Sequence, residues 1–164
     1  MDKYLVKKAE IDDMEARAKE HFLNPNALRA SKSLGDLTGL AGFGFHIVEV
    51  APGKNSTEFH VHSHEEECVY ILSGRGLAFV GDEEHEVGAG DFIGYRAGGK
   101  AHSLTNTGDE TLKYIVVGQR RDFDICDYPN LNKRLYRQRD TPSQLVDFEN
   151  IETLGGPVIN PATD

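Results

Sequence analysis

The stretch His60-Val61-His62-Ser63-His64-Glu65-Glu66-Glu67-Cys68-Val69-Tyr70-Ile71-Leu72-Ser73-Gly74 places three histidines and three glutamates directly before an alternating apolar run. Successive side chains of a β-strand point to opposite faces, so Glu67, Val69 and Ile71 share one face and Cys68, Tyr70 and Leu72 the other. Gly74 ends the strand. Upstream, Phe43 to Val50 reads as a strand closed by the turn Ala51-Pro52-Gly53, in which proline presets φ and glycine accepts a positive φ. With Glu49 towards water, His46, Val48 and Val50 face inward. A further strand is expected over about Glu58 to His62.

Downstream the same grammar repeats. Short strands are expected over Gly76 to Val80, Glu84 to Val87, Phe92 to Tyr95, His102 to Asn106 and Thr111 to Val117, separated by turns such as Gly81-Asp82 and Gly88-Ala89-Gly90-Asp91. Strands this short at regular turn spacing point to an all-β sandwich or barrel. If Lys113 faces water, Leu112, Tyr114 and Val116 face inward. Before this region, Ile11, Met14, Ala18 and Phe22 recur near helical spacing between Glu10 and Phe22, which predicts a short surface helix ended by Asn24-Pro25-Asn26. Residues 31 to 44 read as a loop and an edge segment. After Gly118 the chain turns polar, through Asp122-Phe123-Asp124-Ile125-Cys126-Asp127-Tyr128-Pro129, and is expected to end irregularly past Gly155-Gly156-Pro157.

A chain of 164 residues suits one domain with tails: an N-terminal arm with a short helix over 1–42, a core over 43–118 and an extension packing on it over 119–164. The net charge of -9 argues against binding nucleic acid or an anionic membrane without sequence preference, since both need clustered cations. No basic patch or helix-turn-helix is present. Cys68 and Cys126 have no C-x-x-C spacing, and the chain start Met1 to Lys8 has no apolar run of a signal peptide, so a reducing cytoplasm is expected. No stretch approaches the ~20 apolar residues of a membrane-spanning helix.

Residues two apart on a strand face the same side, so His60 and His62 can reach one ion together. Glu67, at the start of the adjoining strand, would add an oxygen, and His102 from a strand across the barrel would close the set. Three neutral imidazoles and a carboxylate suit one divalent transition metal, Fe, Mn, Ni, Co or Zn, with open positions for substrate or dioxygen. Around this set, Arg96 and Lys100 flank the loop before His102 and are candidates to hold a carboxylate or phosphate. Tyr114 and His46 are candidate walls of the substrate pocket. Glu65 and Glu66 read as a solvated turn, His85 as exposed and Cys68 as a small buried apolar residue.

This arrangement resembles the cupin superfamily, small jelly-roll or double-stranded β-helix barrels whose two motifs supply metal ligands. His60-Val61-His62, Glu67 and Gly74 follow the first motif, with Gly53 preceding it. Gly90, Gly99, His102 and Asn106 follow the second, with Ala97 where proline is usual and one residue more after Gly90. The resemblance spans about Phe43 to Val117. It implies His60, His62, Glu67 and His102 as ligands and Asn106 as a supporting residue. Asp127-Tyr128-Pro129 is similar to a branch of single-domain cupins some of whose members carry a sugar-phosphate isomerase label. The expected function is therefore a metal-dependent cupin acting on a small polar or anionic metabolite, as an isomerase of a sugar or sugar phosphate. The rivals are an Fe-dependent dioxygenase and a binding cupin without catalysis, and a homodimer is expected.

Overall fold

The alternation that starts at Glu67 decides which side chains form the core. The structure, a computed structural model, describes residues 3–155, so the tail expected after Gly155 lies outside the described residues. In chain order the elements are α1 (Lys8–Asp13), β1 (Arg17–His21), β2 (Asn24–Ser33), α2 (Leu34–Leu37), β3 (Phe43–Val50), β4 (Val61–His62), β5 (Glu67–Ser73), β6 (Arg75–Val80), β7 (Glu83–Gly88), β8 (Phe92–Tyr95), β9 (His102–Thr105), β10 (Leu112–Gln119), β11 (Phe123–Tyr128), β12 (Lys133–Gln138) and β13 (Gln144–Asp147). The chain is thus an all-β jelly roll. Its ladders run as three sheets and not as one closed barrel: β1-β2-β3-β10-β5-β8, β13-β12-β11-β4 and β7-β6-β9. Among the described residues no helix is long and apolar enough to cross a membrane.

The inward faces are those that strand parity assigns. Val48 and Val50 of β3, Val69 and Ile71 of β5, and Leu112 and Tyr114 of β10 are all buried. Register brings them together, with Tyr114 opposite Val48 on one side and Ile71 on the other. Fully burying a side chain such as Ile71 or Leu112 stabilises the fold by about 1.5–3 kcal/mol each. Outward-facing Tyr70 and Leu72 stay exposed.

Two turns hold this core in register. At Ala51-Pro52-Gly53, Lys54 N donates to Ala51 O at 3.1 Å and Gly53 has φ +73°, as the sequence requires. Gly74 has φ +84°, and a Cβ there would lie 2.7 Å from Thr111 O, so no other residue fits without backbone movement. Asn106 is fully buried. Its Nδ2 donates to Val50 O and Glu110 O, both at 2.8 Å, and its Oδ1 accepts from Gly108 N at 2.9 Å. Its supporting role is therefore to clamp two turns together.

The flanks differ from the sequence expectation. The helix expected over Glu10 to Phe22 is confined to Lys8–Asp13, and Arg17–His21 pairs with β2 as an edge strand. An edge strand exposed along most of its length needs no apolar alternation, so its signal is lost, and pairing to the sheet overrides a weak helical pattern. Asn24-Pro25-Asn26 starts β2, with proline tolerated next to the strand's first residue. At the other end, the polar extension expected after Gly118 contains strands not assigned from the sequence: β11 pairs with β12 and with β4, and β12 with β13. Asp124, Cys126 and Tyr128 alternate as the buried face of β11. The charged Asp124 on the buried face and the apolar Ile125 on the other blur that alternation in the sequence.

Candidate metal centre

β4 is two residues long and is fastened by β11, with Cys126 opposite His62 and Asp127 opposite Val61. His60 enters just before it and bridges to β9. His60 N donates to His102 O at 3.0 Å, and His102 N donates to His60 O at 2.7 Å. These two pairings gather three imidazoles: the ring centroids of His60 lie 4.9 Å from His62 and 4.6 Å from His102. Tyr95 stacks on His102 with centroids 3.6 Å apart and planes 5° from parallel, which fixes that ring's orientation.

Each ring has its Nδ1 accounted for. His60 Nδ1 is 2.8 Å from Glu58 O, His62 Nδ1 is 2.6 Å from Asp124 Oδ2, and His102 Nδ1 lies 3.5 Å from Lys100 O. Nε2 is left as the free nitrogen of each. His102 Nε2 is buried with no hydrogen-bond partner among the described residues. An unpaired buried polar atom costs about 1–3 kcal/mol, a penalty that a bound cation would offset. Carboxylate and carbonyl acceptors on the far nitrogen are also the usual support of metal-binding histidines.

Charge fits the same purpose. Burial, together with the neighbouring His102 and His62, holds the His60 pKa well below its ordinary value. Burial takes His102 down to about 4. Both rings are neutral at physiological pH, the form that binds metal. Burial acts against a charged His62, but the Asp124 hydrogen bond and negative charge outweigh it and raise its pKa. Burial would raise Asp124, but the His62 bond overrides it and holds the carboxyl below the usual range. Asp124 is itself fully buried and accepts from His64 N at 3.0 Å.

The rings line a cavity of about 290 Å³ whose wall also includes Glu67, Tyr95, Tyr114, Cys126 and Tyr128. That volume is at the small end of ligand pockets, roughly 300–1,000 Å³. All four ligand candidates, His60, His62, Glu67 and His102, thus reach one cavity. Two other groupings of ligand atoms are close: those of His60, His62 and Cys126 lie within 4.8 Å of one another, as do those of His62, Glu65 and Asp124. Burial pushes the Glu67 carboxyl up, with the positive charges of His62 and Arg29 opposing it. Burial pushes the Cys126 thiol up to about 12, so without a metal it is a neutral thiol.

Of the expected substrate contacts, Tyr114 lines the cavity and is fully inside, its hydroxyl pushed up to about 12 by burial. The other three are elsewhere. Arg96 lines a separate surface groove with Phe43 and Cys68. Lys100 pairs with Glu83 on the surface. His46 lies on the inward parity of β3 but is only half-buried, with Nε2 3.5 Å from Arg120 Nη2. In each case a local charge partner or strand end turns the side chain aside. Glu65, expected in a solvated turn, is buried; it pairs with Arg137 and accepts from Arg121 N at 2.6 Å. Glu66 and His85 are exposed, and Cys68 is only partly buried. Asp124, Cys126, Tyr128 and Arg137 are not among the site residues expected from the sequence; the one signal for the first three is the blurred alternation of β11.

A model of the cupin domain matches residues 46–118, the run from β3 to β10 that carries all four ligand candidates. A crystal structure from Acidithiobacillus ferrooxidans, named "Putative sugar phosphate isomerase", is 46% identical with a TM-score of 0.90, covering 93% of this chain and 97% of that one. The chain belongs to the cupin superfamily. A second cupin superfamily structure, from Silicibacter pomeroyi and named as a sugar phosphate isomerase, is 25% identical with a TM-score of 0.78, covering 88% of this chain and 94% of that one. An uncharacterized protein of Methanocaldococcus jannaschii is 35% identical over 80 residues, 49% of this cupin and 56% of its relative. The chain therefore matches little more than half the length of that curated relative. Both structural likenesses extend beyond the region that the family model matches.

Proposed function

We propose that this cupin is a metal-dependent isomerase of a small polyhydroxylated metabolite, a sugar phosphate being the best fit. The observation that carries the reading is the set of three imidazoles with Nδ1 engaged, one of them with a buried and unpartnered Nε2. His60, His62 and His102 would hold a divalent metal through Nε2, with Glu67 as the oxygen ligand. When bound, such an ion supplies a Lewis acid for a carbonyl or hydroxyl oxygen. Around it, Ser56, Thr57, Ser103 and the hydroxyls of Tyr114 and Tyr128 line the cavity and suit hydrogen bonds to sugar hydroxyls. Tyr95, with its hydroxyl pKa raised by burial, remains a neutral wall that keeps His102 in place and water out. The relatives named as sugar phosphate isomerases support the choice of isomerisation over oxygen chemistry.

The test is proton exchange at the carbon next to the carbonyl, followed by NMR in deuterated water with aldose and ketose phosphates. Exchange that needs added metal and persists without oxygen is the expected result. Metal binding with no exchange across such substrates defeats the isomerase reading. Retention of activity only in oxygen would turn the assignment to an Fe-dependent dioxygenase. A homodimer belongs to the same proposal, since Tyr70 and Phe92 sit opposite each other on the outer face at 45% and 66% exposure. Light scattering that gives only a single-chain particle at micromolar concentration refutes it.

A further inference from the structure

The mouth of the cavity carries cations that the metal reading does not use. Arg29 lies on β2 two residues from the buried Ala27, and alternation puts both on the inward face. Lys19 of β1 stands directly opposite Arg29 in the ladder, so the two share that face. Both line the cavity that contains the imidazoles. Like charges opposed across two strands are destabilising, and this chain has nine more negative than positive charges with which to neutralise them. Yet among the described residues neither Arg29 nor Lys19 forms an ion pair. The third cation of the wall, Arg137, is different: it is tied to Glu65, with Asp124 at 3.8 Å. Arg29 is positioned rather than loose, since its Nη1 donates to Ser56 O at 3.2 Å. That anchor and the neighbouring Tyr114 hydroxyl engage part of the guanidinium, whose charge also acts on Glu67, and its remaining N–H donors suit a planar or tetrahedral anion.

We propose that Arg29 and Lys19 form an anion subsite at the cavity mouth that takes the phosphate of a phosphorylated substrate, while the rest of that substrate extends towards His60, His62 and His102. This rests on the metal-dependent reading for what happens at the far end, but the subsite itself binds without metal. It replaces the role that Arg96 and Lys100 were expected to fill. A half-buried arginine with an exposed lysine opposite suits a dianion, because the arginine sets geometry and the lysine adds charge without fixed direction. Because the net charge of -9 repels anions elsewhere on the surface, these two cations make the mouth a local point of attraction.

The test measures calorimetric binding of inorganic phosphate, ribose 5-phosphate and ribose to the full chain, each with and without Co(II), and reads Co(II) affinity separately from its absorption spectrum. Phosphate and ribose 5-phosphate should bind the metal-free chain and ribose should not. Arg29→Met should weaken both phosphorylated probes roughly ten- to a hundredfold, Lys19→Met by a smaller factor, and Arg29→Lys should restore part of the loss. Co(II) affinity should be the same in all of them. Tighter binding of ribose 5-phosphate than of phosphate on adding Co(II) marks a bifunctional ligand, whereas equal affinity marks a site for free phosphate. Phosphate binding that needs Co(II) and ignores Arg29→Met and Lys19→Met overturns the subsite. If Co(II) does not bind but Arg29 still governs phosphate, the metal reading fails and the subsite stands. Lys19 is exposed, so its variant remains informative if Arg29→Met does not fold.

Discussion

The region from β3 to β10 and the strands that flank it divide the work unequally. The central run supplies the packed core and the four motif residues, and its side-chain directions follow from alternation alone. The flanks supply what surrounds those residues: Asp124 behind His62, Cys126 beside it, Tyr128 on the wall, and Arg29 and Lys19 at the mouth. A core that many cupins share is thus dressed by elements lying outside the family match. Specific chemistry is then to be sought in the dressing, since fold alone does not determine function.

Substitutions can separate the two regions. The largest stability effect is expected in the core, at Asn106→Ala, which leaves Val50 O, Glu110 O and Gly108 N without their partner. At about 1–3 kcal/mol for each buried group stranded, chemical denaturation should show a loss of about 3 kcal/mol or more. Asp124→Asn in the flank should do the reverse, keeping the shape but presenting an amide to His62 Nδ1. An amide N–H there favours the tautomer whose Nε2 carries the proton and cannot bind metal. Metal affinity by competition titration should fall about 10- to 100-fold. Similar losses of metal affinity from both variants would dissolve the division.

A third test uses acid. Burial, then the charges of Arg29 and Lys19, take the His21 pKa down from 6.5 to about 4. A histidine with a lowered folded pKa binds fewer protons folded than unfolded, so its contribution to stability is intact above about 6.5 and is lost as pH falls towards 4. The melting temperature of the metal-free chain should therefore drop through that window, and His21→Gln should flatten the slope. The smallest effect is expected at Lys100→Ala. Its partner Glu83 is exposed, so the melting temperature should barely move, and binding of phosphate should not change. A clear loss of phosphate binding there would restore the cation that the sequence favoured.

How much was legible in the sequence follows the same division. Where one face of a strand is buried and the other wet, as in β5, the alternation of Val69 and Ile71 with Tyr70 and Leu72 is unmistakable. Motif spacing also brought His60, His62, Glu67 and His102 to one cavity. β1 is hidden because Arg17–His21 has almost no buried side chain to write a pattern, so the helical spacing of Ile11, Met14, Ala18 and Phe22 dominates. β11 is hidden because its buried face includes the charged Asp124, which partners 60 and 62 residues earlier make tolerable. No local signal announces a partner so far away. Arg96 and Lys100 do not line that cavity, because closeness in sequence to His102 says nothing about the side on which a loop residue emerges.

The bond between His62 and Asp124 spans 62 residues, and its consequence is one of timing. At roughly 5–20 residues per second of synthesis, Asp124 is made about 3–12 s after His62. Throughout that interval the nascent chain carries imidazoles without the carboxylate that orients one of them. On the metal-dependent reading proposed above, capture of an ion would be a late event in the protein's making, tied to the docking of β11 against β4.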